Sequence, residues 1–224
     1  MLPQRPSTSK PERTGLPLWC YLAIAAGALV TAWSLFGCAP PSGGHNPVIV
    51  GDSIAFTAQL DGELTKYMPN IFMDNQPGRG MYRKGILTNP DGSWRAGTSG
   101  AEAIPPILTW LTPGGWTVIE LGTNDMDLDP TMDEASISEL LRLVPGCVAW
   151  VNVWNNQNDA TRLRSRQFNV AIVNAVSKRK ADCTKIINWA GEAEIHAFDY
   201  LKDGVHPTPL GSAKLAQLIK AATG

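Results

Sequence analysis

The sequence predicts an α/β domain built on a mainly parallel sheet with helices on both faces. Three observations predict it: five short apolar runs, longer helical stretches between them, and junctions rich in Gly, Asn or Asp where the runs end. Pro47-Val48-Ile49-Val50 is a compact, largely β-branched run that stops at Gly51, and Ile71-Phe72-Met73 is a weaker second. Trp116–Leu121, Cys147–Val153 and Thr184–Trp189 complete the set. Such runs suit strands buried on both faces. Between them Ala55–Met68, Ala101–Leu111, Asp133–Leu143 and Asp159–Lys178 read as helices, and Pro207–Ala221 closes the chain. Asp159–Lys178 is the clearest, because Phe168, Ile172 and Val176 recur four residues apart on one face. Pro105 and Pro106 are expected to delay or break their helix. Met81–Gly100 reads as a long, polar, Gly-rich loop.

With 224 residues, 44% hydrophobic and 17% charged, the chain fits one globular domain and a short appendage. A formal net charge of -1 gives no electrostatic footprint for nucleic acid. The appendage is residues 1–38. There Arg5, Lys10 and Arg13 precede an uncharged apolar run from Leu16 to Phe36. As a helix that run spans roughly 31 Å, about the thickness of a bilayer core. Its positive flank stays cytoplasmic, so the residues beyond the run are exported. Two readings are open. The end of the run resembles a bacterial lipoprotein signal, with Cys38 after Gly37 as the lipidated residue; alternatively the segment is an uncleaved signal anchor. Either one ties residues 47–224 to the outer face of the membrane through a tether over residues 39–46.

In parallel sheets, ligands bind outside the carboxyl ends of the strands, so the junctions there are where chemistry is sought. Gly51-Asp52-Ser53 comes directly after the first strand and sets a hydroxyl near a helix N-terminus, where an anion is favoured. Asp203-Gly204-Val205-His206 precedes the last helix. A hydroxyl nucleophile needs a base within reach, and the base needs an acceptor that fixes its tautomer. Asp203 three residues before His206 meets that need for Ser53. His45 lies in the tether, and His196 reads as structural. The middle junctions, Asn75-Gln76-Pro77-Gly78-Arg79-Gly80 and Leu121-Gly122-Thr123-Asn124-Asp125, offer backbone and amide donors for an oxyanion. No His or Cys spacing calls for a metal, and nothing calls for a cofactor.

GDS after the first strand, a Gly after the second, GTND after the third and DGVH before the last helix resemble the blocks of SGNH (GDSL-like) hydrolases. The resemblance covers Val48 to Leu218. It implies a flavodoxin-like three-layer α/β/α fold whose five parallel strands run in the order 2-1-3-4-5. It also implies Ser53 as nucleophile, His206 as base and Asp203 as its orienter. The oxyanion donors would be the Ser53 backbone N–H, the Asn124 side chain and a glycine of the second block. Gly78 is the choice, because Pro-Gly-Arg-Gly is similar to the Val-Gly-Arg-Gln segment of SGNH domains in peptidoglycan O-acetyltransferases; Gly80 stays open.

Two loops are expected to border the site. Trp94 with Arg79 and Arg83 would form one wall, and Trp154 with Asn155 another, an aromatic plane beside amides that suits a sugar ring. The expected function is therefore an exported serine esterase acting on O-acyl, above all O-acetyl, esters of cell-envelope carbohydrate. The alternatives are an O-acyltransferase on the same glycans, a lipid esterase or lysophospholipase, and a non-catalytic carbohydrate-binding lipoprotein. Cys147 and Cys183 each precede or begin neighbouring strands, so they are expected to form a disulfide at the sheet edge opposite the chemistry.

Overall fold

A computed structural model describes residues 47–179 and 183–224. The anchor run Leu16–Phe36, Cys38 and the tether over residues 39–46 lie outside the described residues. No helix among the described residues is long and apolar enough to cross a membrane.

The apolar runs form strands β1 (Val48–Gly51), β2 (Phe72–Asn75), β5 (Trp116–Glu120), β6 (Cys147–Val151) and β7 (Thr184–Ile187) of one sheet. Their order is β2-β1-β5-β6-β7, all parallel. Counting sheet strands alone, this is the expected 2-1-3-4-5. The remaining two strands, β3 (Ile86–Thr88) and β4 (Trp94–Ala96), pair antiparallel as a separate hairpin. The segment Met81–Gly100 is thus not a plain loop. Its strands are three residues each and mostly exposed, so they lack the alternating apolar pattern that marks a half-buried hairpin.

Successive side chains of a strand face opposite ways, and the core divides accordingly. Ile49, Val118, Ala149, Val151 and Ile187 pack on one face against α1 (Ser53–Leu60), α2 (Glu63–Tyr67), α6 (Trp189–Ile195) and α8 (Pro209–Thr223). Val48, Val50, Ile119, Val148 and Trp150 pack on the other against α3 (Gly100–Ile107), α4 (Asp133–Arg142) and α5 (Asp159–Lys178). A short helix α7 (Ala197–Tyr200) links α6 to the last turn, and His196 caps that junction with its ring 4.9 Å from the Tyr200 ring.

Several boundaries differ from expectation for identifiable reasons. The stretch Ala55–Met68 is two helices, because Gly62 at φ 75 turns the chain after Asp61. Pro105 and Pro106 neither delay nor break α3; both sit inside it on its exposed side. A capping box between Ser99 and Glu102 fixes the start of that helix. The last helix begins at Pro209, at the first helical position, after the Thr208 cap.

At the amino ends of β6 and β7, Cys147 and Cys183 are joined by a disulfide with their Cα atoms 4.8 Å apart. The Cys183 carbonyl also accepts from the Val148 N–H, so the bond reinforces an existing register. Removing it in the double variant Cys147→Ser/Cys183→Ser is expected to lower unfolding free energy by roughly 2–4 kcal/mol. Chemical denaturation of both proteins, with intact mass to verify the oxidised wild type, measures this; two free thiols in protein prepared under oxidising conditions would contradict the pairing.

Candidate active site

The register of β1 brings three strand ends together, with Gly51 opposite both Asn75 and Glu120. There is no room at Gly51 for a side chain. A Cβ there would lie 2.5 Å from the Ala55 Cβ and 2.7 Å from the Asn75 Oδ1. The chain therefore turns tightly into α1, capped by Asp52, whose Oδ1 accepts from the Ile54 N–H at 2.8 Å. Ser53 is the first residue of that helix, where a backbone N–H has no intrahelical acceptor.

The last turn comes to meet it. His206 Nε2 is 3.0 Å from Ser53 Oγ, and His206 Nδ1 is 2.7 Å from Asp203 Oδ2. Asp203 Oδ1 in turn accepts from the backbone N–H groups of His206 at 2.8 Å and Val205 at 3.0 Å. Gly204, at φ 82, makes the turn possible, and its carbonyl accepts from the Asn156 N–H at 2.7 Å. Desolvation pulls the Asp203 pKa up, but the hydrogen bonds from His206 and Val205 outweigh it and hold the carboxyl below its ordinary value. The three side chains form a relay of hydroxyl, imidazole and carboxylate, open to water: the His206 side chain is 33% exposed and that of Asp203 46%.

Of the two glycines proposed as donors, Gly80 is already engaged. Its N–H donates to the Arg83 carbonyl at 3.0 Å, and a Cβ there would strike Asp125 Oδ1 at 2.4 Å. Gly78, at φ 69, keeps its N–H free of any protein acceptor among the described residues. Asn124 sits on the same edge, but both hydrogens of its amide are engaged, with Asp52 Oδ2 at 3.1 Å and the Arg79 carbonyl at 3.0 Å. A donation from Asn124 to a substrate oxygen requires one of these bonds to be shared.

No family model matches the sequence, and no curated protein matches it. Solved structures do. The C-terminal catalytic domain of peptidoglycan O-acetyltransferase A from Streptococcus pneumoniae superposes with a TM-score of 0.57 at 17% identity, covering 80% of this chain and 92% of that one. A GDSL-like lipase from Bacteroides thetaiotaomicron gives 0.57 at 18%, over 79% and 86%. A carbohydrate esterase family 3 protein from Talaromyces cellulolyticus gives 0.53 at 16%, over 79% and 95%. The chain has the SGNH hydrolase fold.

Within this SGNH fold, the expected walls of the site are redistributed. Arg79 cannot face a substrate: it is 0% exposed. Its guanidinium pairs with the Asp74 carboxylate and carbonyl and donates to the Thr98 carbonyl and hydroxyl, clipping the second block to the hairpin. Trp154 is 2% exposed and belongs to the core, with Arg166 stacked at 5.7 Å on its ring. It edges a groove between α5 and α6 that also contains Asn152 and Asn188, off the Ser53 crevice beyond β6 and β7. Asn155 is buried too, its Oδ1 accepting from the Gln157 N–H to shape the turn. Arg83 pairs with Asp127. Arg83 stays exposed in that pair, and Trp94 stands out further into solvent, 74% exposed on β4.

Three carboxyl groups carry no role in the sequence motifs: Asp52, Glu120 and Asp125, all essentially buried. An acid at the end of an apolar run, as in Trp116-Thr117-Val118-Ile119-Glu120, is the signal that could have found one of them. Asp125 takes the Met81 N–H on both carboxyl oxygens, at 3.0 and 2.9 Å, and so ties the second block to the third.

Burial lifts the Asp125 carboxyl from 3.8 to about 6, against the opposing pull of the Met81 N–H. Its folded-state pKa lies above the unfolded one, so its contribution to stability is full below about 3.8 and is lost as pH rises through about 6. Asp52 adds to the decline because burial raises that group as well, whereas carboxyls held low, Asp203 among them, act with the opposite sign, so the contribution is read by comparing wild type with Asp125→Asn in thermal unfolding across that window. Asp125→Asn should reduce the slope; a variant whose Tm tracks pH as steeply as wild type would refute the assignment.

Proposed function

We propose that this chain is a serine-dependent carboxylic ester hydrolase that removes O-acyl, chiefly O-acetyl, groups from carbohydrate outside the cytoplasm. The observation that carries the reading is the unbroken chain of contacts from Ser53 Oγ through His206 to Asp203. His206 takes the Ser53 proton through Nε2 as Oγ attacks the ester carbonyl, and Asp203 stabilises the imidazolium through Nδ1. The tetrahedral oxyanion is met by the N–H groups of Ser53 and Gly78 and by the Asn124 amide, once that amide shares one of its present bonds. Collapse expels the alcohol, protonated by His206, and leaves an acyl group on Ser53. Water activated by the same imidazole then releases the acid.

The solvent-open crevice supports water as the acyl acceptor, because transfer to a sugar hydroxyl requires water to be kept out. Trp94, projecting on its hairpin, offers a flat indole face on which the C–H face of a sugar ring can stack, and so supports a carbohydrate as the partner. The likeness to a peptidoglycan O-acetyltransferase domain and a carbohydrate esterase agrees with this substrate class. The disulfide fits an oxidising compartment outside the cytoplasm.

The test is turnover of p-nitrophenyl acetate and of O-acetylated glycans by the full chain. Ser53→Ala and His206→Ala should each lower kcat/KM by about a thousandfold or more. A fluorophosphonate probe should label the wild type at Ser53 and leave Ser53→Ala unmodified. Acetate released only when a glycan acceptor is withheld, with acyl transfer when it is supplied, would replace the hydrolase by a transferase. Trp94→Ala is expected to raise KM for an acetylated glycan and leave p-nitrophenyl acetate turnover unaltered; equal effects on both substrates would remove Trp94 from the binding surface.

A further inference from the structure

The serine mechanism makes no use of Asp52 and Glu120, two of the most deeply buried acids among the described residues. Asp52 is 0% exposed and Glu120 1%, and no Lys or Arg pairs with either among the described residues. Their placement is specific. Glu120 ends β5 beside Gly51, and its Oε2 accepts from the backbone N–H groups of Asp52 at 3.2 Å and Ala55 at 3.1 Å. These residues flank Ser53 on both sides, so one carboxyl oxygen grips the turn that presents the hydroxyl. Asp52 uses Oδ1 to cap α1 and Oδ2 to hold the Asn124 amide. The two carboxyl groups thus meet at one turn, where a charge on both would be opposed by burial and by mutual repulsion, and burial raises both from their ordinary values.

We propose that Glu120 is a positioning residue for the Ser53 centre, working in its neutral form: its carbonyl oxygen grips the turn around Ser53 while its O–H bonds to Asp52 and keeps that group aligned on Asn124. The proposal rests on the serine-dependent function. Neutrality matters because the oxyanion forms on this same edge. A second buried negative charge would oppose it and would push the two carboxyls apart. Burial first, and then the Asp52 charge, hold Glu120 protonated well above the ordinary carboxylate range. The other charged or titratable groups facing the pair are Asp125 and His206, with the Arg79 guanidinium at the Gly51 carbonyl. None of them supplies a full counter-charge to Glu120.

Glu120→Gln and Glu120→Ala separate this from a merely structural role. Glutamine accepts through its carbonyl and donates through its amide, as the protonated acid does, whereas alanine does neither. Glu120→Ala should lower kcat for p-nitrophenyl acetate about 100-fold with little change in KM, and Glu120→Gln should restore it close to wild type. Infrared spectra at neutral pH supply a readout independent of activity: the wild type should carry a protonated-carboxyl C=O band that Glu120→Gln removes. A wild type that turns over ester without that band overturns the proposal. So does a glutamine variant as slow as the alanine one, or an alanine variant as fast as wild type. A wild type with the band but without serine-dependent turnover overturns instead the functional reading, and leaves Glu120 a structural acid only.

Discussion

The arrangement depends on how closely the backbone at the end of β1 is approached by its neighbours. At Gly51 the first turn of α1, the end of β2 and the end of β5 all come within contact of a missing side chain. That crowding forces a sharp change from strand to helix and leaves the Ser53 N–H outside both hydrogen-bonding patterns. Everything else on that edge is built around the turn. Asp52 caps it, Glu120 braces it, and His206 reaches it from the far end of the sequence. Any side chain at position 51 would have to displace the Ala55 and Asn75 side chains.

Apolar packing builds the sheet, but polar contacts aim the site. The core on each face of the sheet is continuous and conventional. The blocks at the carboxyl edge are instead joined by charged or amide groups: Arg79 to Asp74 and Thr98, Asp125 to Met81, and Asn124 to Asp52 and Arg79. Hydrogen bonds are directional in a way that apolar contacts are not, and in a low-dielectric surrounding each is costly to break. The loops are thereby held in one geometry without long helices or strands of their own.

Much of this was legible in the sequence. The five strands and the long helix α5 were readable because buried runs and a four-residue apolar repeat are strong periodic signals. Ser53, Asp203 and His206 were readable because each stands at a junction between elements, where side chains project from a sheet's carboxyl edge. What could not be read was direction. Arg79 and Trp154 have the right chemistry for a sugar site and the right place in sequence, yet both side chains turn inward. Nothing local tells whether a loop arginine meets water or its own backbone. The hairpin β3–β4 escaped notice for a related reason, since strands of three exposed residues carry no periodicity. Glu120 closes an apolar strand, and only the neighbouring strand ends show that its carboxyl is buried.

The disulfide acts through its position. It joins the amino ends of β6 and β7, while Ser53 and His206 meet at the opposite, carboxyl edge of the sheet, a strand length of roughly 13–17 Å further along. A crosslink there constrains the expanded chain far more than it constrains the crevice. Molecules with and without the bond would share the same hydroxyl-to-imidazole geometry for as long as they stay folded. Under the proposed function, oxidation would bear on how long a molecule stays folded, and the other edge on how fast it turns over.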